Sequence, residues 1–164
     1  MDSKDIIKKL ELTPHPEGGY YKEVYRSNNN TKLIINTLPV NRSLATSIYF
    51  LLEKDQFSSF HKLKSDELWY HHTGSYVRIH VIDKKGNYFH KDIGTDLEKN
   101  IEPQFIIEAE SWFAAELTDK NSYSLLGCMV TPGFDFADFE LAEKEKLTEQ
   151  FPQHNEIIAK FTRQ

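Results

Sequence analysis

Apolar and polar residues follow a strand-like period of two through most of the chain and a helical period only near its two ends. Residues 3–12 place Ile6, Ile7 and Leu10 on one helical face, with Ser3 positioned as N-cap, which predicts a short amphipathic helix. The run Thr-Pro-His-Pro-Glu-Gly-Gly at 13–19 then breaks regular structure. Segments 20–26, 43–52, 67–72, 76–83, 88–93, 105–109, 112–117 and 123–130 read as short strands rich in aromatic and β-branched residues, with 32–37 as a short edge strand. Turn residues at 28–30, 84–87 and 118–122 separate them. Closely spaced strands without intervening helices predict a sandwich or closed barrel rather than βα units. Helical signal returns after Asp138, as an exposed, mixed-charge helix over 140–150 and a second over 155–161 packed through Ile157, Ile158 and Phe161. No repeat, linker or low-complexity tract divides the chain, so one domain is expected over 1–164, with its barrel core at about 20–131.

Composition narrows the functional classes. Of 164 residues 39% are hydrophobic, which suits a folded interior, and a net charge of −5 argues against a phosphate-tracking nucleic-acid binder. The one cysteine, Cys128, cannot form an intramolecular disulfide or a multi-thiolate zinc site, and its apolar neighbours predict a small buried side chain. The first ten residues lack an apolar signal core, and no apolar stretch approaches the ~20 residues of a membrane helix. A soluble protein in a reducing, cytoplasmic compartment is expected, with no membrane partner.

The candidate chemistry centres on His61, His71 and His72. Alternate residues of a strand share a face, so His61 pairs with Leu63, and Glu67 with Trp69 and His71. If both faces turn inward, two imidazoles and a carboxyl meet in one lumen. The spacing of His61, Glu67 and Gly74 resembles the first motif of the cupins, with departures at Leu63 (a second histidine in the motif) and Asp55 (its leading glycine). The segments His-Pro-Glu-Gly-Gly-Tyr-Tyr at 15–21, Ile-Tyr-Phe-Leu-Leu at 48–52, Ser-Asp-Glu-Leu-Trp at 65–69 and Pro-Gly-Phe-Asp-Phe-Ala-Asp-Phe-Glu-Leu at 132–141 are similar to cupin family 5, also called domain of unknown function 985.

This resemblance implies an all-β fold, a double-stranded β-helix or jelly-roll cupin barrel with short N-terminal and C-terminal helices, usually a homodimer, with no settled activity. Phe113 falls where the second motif supplies a metal histidine, and Glu108 and Glu110 stand at its flanking proline and glycine positions. With Leu63 and Phe113 at two of four ligand places, no cofactor is expected; a divalent metal, if held, would use His61, Glu67 and His71.

Three functional readings stand beside a purely structural one. By analogy with cupin-fold sugar epimerases, His61 would be a general base oriented by Glu67, with Tyr49 as acid, in a metal-independent isomerase or epimerase. Alternatively, Tyr49, Trp69, Phe113 and His71 would line a non-catalytic site for a small polar metabolite or sugar-like ligand. The third is a metal-dependent oxygenase.

Remaining features receive local readings. Residues 15–19 form either a lid or a rigid turn in which Gly18 or Gly19 supplies positive φ. Glu23 and Arg26, three apart, fall on opposite faces of a regular strand. Phe134, Phe136 and Phe139 are core plugs at the crossing from barrel to helix, and Asp138 is a helix cap. The 32–37 strand offers an edge for a second copy.

Overall fold

The computed structural model describes residues 2–163. Helix α1 (Ser3–Leu10) leads into β1 (Thr13–Pro14), and the barrel follows as β2 (Tyr20–Arg26), β3 (Asn30–Ile35), β4 (Leu38–Ser43), β5 (Thr46–Glu53), β6 (Phe57–Lys62), β7 (Asp66–Gly74), β8 (Val77–Ile82), β9 (Tyr88–Ile93), β10 (Gln104–Ile107), β11 (Trp112–Leu117) and β12 (Tyr123–Thr131). The chain closes with β13 (Glu140–Leu141), α2 (Lys144–Gln150) and α3 (Asn155–Lys160). Two antiparallel sheets face each other, in the orders β1-β2-β5-β12-β7-β10 and β13-β6-β11-β8-β9, while β3 and β4 form a separate hairpin. This is the two-sheet barrel the strand pattern predicts, with helices at both ends.

Period-two alternation fills the space between the sheets. Phe50 and Leu52 of β5, Trp69 of β7, Val77, Ile79 and Val81 of β8, Phe113 and Ala115 of β11, and Leu126, Cys128 and Val130 of β12 form the main core. The outer faces are also covered. Tyr49 and Leu51 lie in a layer with Ile6 of α1, and Phe60, Ala114 and Trp112 lie in another with Leu147 of α2 and Ile158 of α3. Cover on both faces explains why β5 reads as an unbroken apolar run.

Several local expectations are corrected. The N-cap of α1 is Asp2, whose carboxylate accepts from Asp5 N in a reciprocal capping box. The predicted helix over 140–150 begins only at Lys144, because Glu140 and Leu141 pair with Lys62 and His61 of β6. Asp138 caps no helix: its carboxylate is buried against the Arg42 guanidinium at 2.6 and 2.7 Å, and Asp135 supplies the cap through Ala137 N. Phe134 and Phe139 pack on the core, but Phe136 is 51% exposed. The edge strand at 32–37 ends at Ile35, where Asn36 and Thr37 take positive φ and turn the chain into β4.

Candidate functional site

A cavity of about 350 Å³ opens between the sheets at the end of the barrel where the N-terminal loop crosses. That loop is a rigid turn, with Gly18 N donating to His15 O at 3.0 Å and His15 N to Gly19 O at 2.9 Å. Gly18 and Gly19 both take positive φ, 114° and 74°. Ser59 N donates to Glu17 O at 2.8 Å and ties the turn to β6. The turn therefore delivers His15 and Glu17 into the cavity as fixed side chains.

A bulge in β6 supplies their partners. His61 stands opposite Phe113 and Ser58 opposite Ala115, so β6 carries one extra residue and turns Ser58 and His61 toward the same carboxyl. Ser58 Oγ donates to Glu17 Oε1 at 2.8 Å, and Glu17 Oε2 lies 3.1 Å from His61 Nε2. His61 Nδ1 sits 2.7 Å from Ser59 O, a carbonyl that can only accept, so Nδ1 carries the proton and a neutral ring presents its Nε2 lone pair to Glu17. Two acceptors at 3.1 Å require one proton between them. Burial is the first cause on both sides, holding His61 down to about 3 and pushing Glu17 well above the usual carboxylate range, with the Glu67 charge adding to the rise. The pair is thus a neutral carboxylic acid hydrogen-bonded to a neutral imidazole. His15 is neutral as well: its Nδ1 accepts from Glu17 N at 3.2 Å, and burial lowers it to about 4.

Glu67, on the inward face of β7, lines the same cavity. Its Oε2 is buried without a hydrogen bond. Burial raises its carboxyl to about 8, against smaller opposing contributions from Trp69 and Cys128. The buried Cys128 thiol is pushed well up, first by burial and then by Glu67 and Glu17, which removes it as a thiolate nucleophile. At the mouth, Arg26 chelates Glu23 through two contacts of 2.8 Å and donates to Phe134 O at 3.1 Å. A bulge between Glu23 and Tyr25 brings Glu23 and Arg26 to one side, contrary to the alternation of a regular strand.

The candidate residues separate accordingly. His61 and Glu67 both line the cavity, but the carboxyl on the His61 ring belongs to Glu17, not to Glu67. Tyr49 does not reach the lumen: Ile48 and Phe50 take the inward face of β5, and Tyr49 packs on the outside, edge-on to His72 at 6.2 Å. Trp69 and Phe113 are fully buried packing residues rather than cavity walls; Phe113 lies against His61 at 4.0 Å between ring centroids. His71 points inward farther along β7, outside the cavity, with its Nε2 on Ser75 O at 3.0 Å. The sequence reading missed Glu17, His15 and Tyr21 as lumen residues; the histidine and carboxyl inside a Pro/Gly turn were the available signal.

The metal set of the resembling barrels does not fit these residues. Leu63 and Phe113 offer no donor atoms, and His71 does not join His61 and Glu67. Among the described residues no group of three or more His, Cys, Asp or Glu is placed to hold a metal ion. Among the described residues no helix is long and apolar enough to cross a membrane.

Among solved structures, protein SO0799 from Shewanella oneidensis is similar, with 39% identity, a TM-score of 0.88, and coverage of 99% of this chain and 98% of that one. A hypothetical protein from Leishmania major matches at 34% identity and a TM-score of 0.90 over the whole of both chains. Bacillus subtilis oxalate decarboxylase, a protein with Mn(II) centres, matches at 17% identity and a TM-score of 0.56 over 38% of its own length, a likeness of fold alone. The uncharacterized protein YML079W of Saccharomyces cerevisiae is 27% identical over 155 residues, covering 87% of this chain and 76% of that protein. The family model described as Cupin superfamily (DUF985) matches residues 4–142, and the chain belongs to that family of cupins.

Proposed function

We infer that the lumen binds a small polar metabolite and that the His61–Glu17 pair moves a proton on it, in a metal-independent isomerisation or epimerisation. The observation that carries this reading is the 3.1 Å approach of Glu17 Oε2 to His61 Nε2 inside a cavity of metabolite size. Such a pair works as base and acid together, the imidazole taking a proton from a substrate and the carboxylic acid giving one. Glu17 gives its acid proton to the substrate's carbonyl oxygen as His61 Nε2, freed of that hydrogen bond, takes the proton from the adjacent hydroxyl-bearing carbon, and the C–H electron pair becomes the enediol double bond. On return the imidazolium, whose proton exchanges with solvent, protonates the former carbonyl carbon while the Glu17 carboxylate takes the proton of the other hydroxyl. Glu17 holds the transient imidazolium in place, as a carboxyl at hydrogen-bond distance does. Tyr49 has no part in this step, and Glu67 is left as a ligand-facing carboxyl.

Solvent exchange tests the reading. A panel of small hydroxy- and amino-carbonyl compounds is incubated with the protein in D2O and followed by NMR. At least one compound gains deuterium at the carbon next to its carbonyl, and His61→Ala lowers that rate by about 10²–10⁴-fold. An unchanged rate in His61→Ala overturns the acid–base role. A compound that raises Tm without exchanging supports the binding-protein alternative instead.

A homodimer belongs to the same proposal. The β3–β4 hairpin has unpaired outer edges and leaves Ile34 and Leu38 exposed, features that pairing with a second copy would cover. Size-exclusion chromatography with light scattering reads the mass directly, and a monomer at micromolar concentration refutes it.

A further inference from the structure

The geometry points to a small primary ammonium compound as the guest of the lumen, with its charged end on Glu67 and its carbon skeleton among the aromatic rings of the mouth. This rests on the reading that the lumen holds a small molecule and adds the guest's chemical class.

Four acids line the cavity: Glu17, Glu23, Glu67 and Asp135. Against them stands one cation, Arg26, already chelated by Glu23 and flanked by Asp135. The imidazoles of His15 and His61 are neutral. Among the lining residues an anionic guest would find no unengaged guanidinium or ammonium group to pair with.

Glu67 Oε2 is the second observation. The Glu67 carboxyl lines the cavity with no hydrogen bond on this buried oxygen, and a buried carboxyl left so is costly unless a guest supplies the hydrogen bond. A primary ammonium group supplies both the donor and the charge.

The rest of the wall suits such a guest. His15 sits at the centre of a collar of rings, 4.5 Å from Tyr21, 6.1 Å from Phe50 and 6.0 Å from Phe139, and Phe134 packs on Phe139 at 6.2 Å. Aromatic faces attract cations and cover apolar skeletons.

Binding of an ammonium compound is therefore linked to protons. Around Glu67, the N-terminal turn contributes His15 and Glu17, β2 contributes Tyr21, Glu23 and Arg26, β6 contributes His61, β12 contributes Cys128, and the loop after β12 contributes Asp135. Of these, His15 and His61 are held neutral by burial and Glu17 is engaged with His61, so Glu67 is the group that must lose its proton.

Three probes with one skeleton and different end groups decide the matter: cyclohexylmethylamine, cyclohexylmethanol and cyclohexanecarboxylate, titrated calorimetrically against the full chain from pH 6 to pH 8.5. The amine binds about tenfold more tightly than the alcohol at pH 8, its affinity rises by roughly tenfold per pH unit up to about pH 8, and close to one proton is released per molecule bound at pH 6 to 7. Glu67→Gln removes the pH slope and the preference for the amine. Because glutamine matches the neutral carboxyl in shape, that variant remains folded, and Phe136→Ala at the exposed rim is a second, milder probe that weakens the amine severalfold without changing its pH slope. Tighter binding of the carboxylate, equal binding of amine and alcohol without proton release, or no binding by any probe overturns the inference. All are equilibrium readings, so failure here leaves the deuterium-exchange test of His61 untouched, and failure of that test leaves this one standing.

Discussion

Replacing Gly18 with alanine should cost about 4 kcal/mol of folding stability and remove the Glu17 carboxyl from His61. The residue sits at φ 114°, a conformation that side-chain-bearing residues rarely adopt. A Cβ there would lie 2.1 Å from the backbone oxygen of Phe57 and 2.3 Å from Nη2 of Arg163. The arginine could swing away, but the Phe57 carbonyl belongs to β6 and cannot. Backbone strain and overpacking each contribute about 1–3 kcal/mol in such cases. Gly86→Ala is the control. Gly86 also has positive φ, 83°, but its nearest neighbours are Phe151 ring atoms at 3.1 and 3.3 Å on a side chain able to shift. About 1 kcal/mol is expected there. Chemical denaturation of both variants gives the comparison, and equal midpoints would show that the turn is not held against β6. In Gly18→Ala the turn must lift, which also separates Ser58 from Glu17, so His61-dependent exchange should fall with stability.

The same turn shows where sequence reading ends. Alternation placed His61 and Glu67 on inward faces, and both do line the lumen, because regular strands obey the period of two over the segments concerned. Tyr49 was misplaced because alternation is invisible in an all-apolar run: α1 covers the outer face of β5, so both parities are hydrophobic. The relation of Ser58 to His61, and of Glu23 to Arg26, depends on one extra residue in β6 and one in β2. Bulges reverse the parity of everything beyond them, and nothing in the local composition announces either one. Glu17 lies in no strand, and its contact with His61 is a tertiary closure across 44 positions of sequence that only the folded backbone reveals. The fold was therefore legible from periodicity and from the segments that resemble other cupins, whereas the proton-sharing pair was not.

Glu67→Gln should make the protein more stable, and increasingly so as pH rises. Burial raises the folded Glu67 carboxyl from 4.5 to about 8. Below pH 4.5 the group is protonated in folded and unfolded chains alike and its titration contributes nothing to the pH dependence. As pH rises from 4.5 to 8 the unfolded chain gives up this proton while the folded chain keeps it, so stability is lost across that window and stays lost above it. At about 1.4 kcal/mol per unit the loss reaches about 4–5 kcal/mol by pH 8. Glutamine does not titrate, so the difference in unfolding free energy between variant and wild type should grow by about 4 kcal/mol between pH 4.5 and pH 8. His15 and His61 act in the opposite direction: their folded values lie below 6.5, so their contribution is present above that pH and is lost as pH falls toward about 4 and about 3. Both histidines are common to the two proteins and largely cancel in the difference. Glu17 does not cancel wholly, because part of its elevation comes from the Glu67 charge, and relief of that repulsion adds to the gain. Urea denaturation at pH 5, 6.5 and 8 reads the divergence. Parallel curves would mean that the carboxyl is hydrated or paired in the folded protein, and a variant weaker than wild type at pH 8 would mean that Glu67 holds the barrel together. Divergence in the stated direction identifies a side chain kept at a cost to folding, the cost a functional site bears when a guest enters to meet its buried acid.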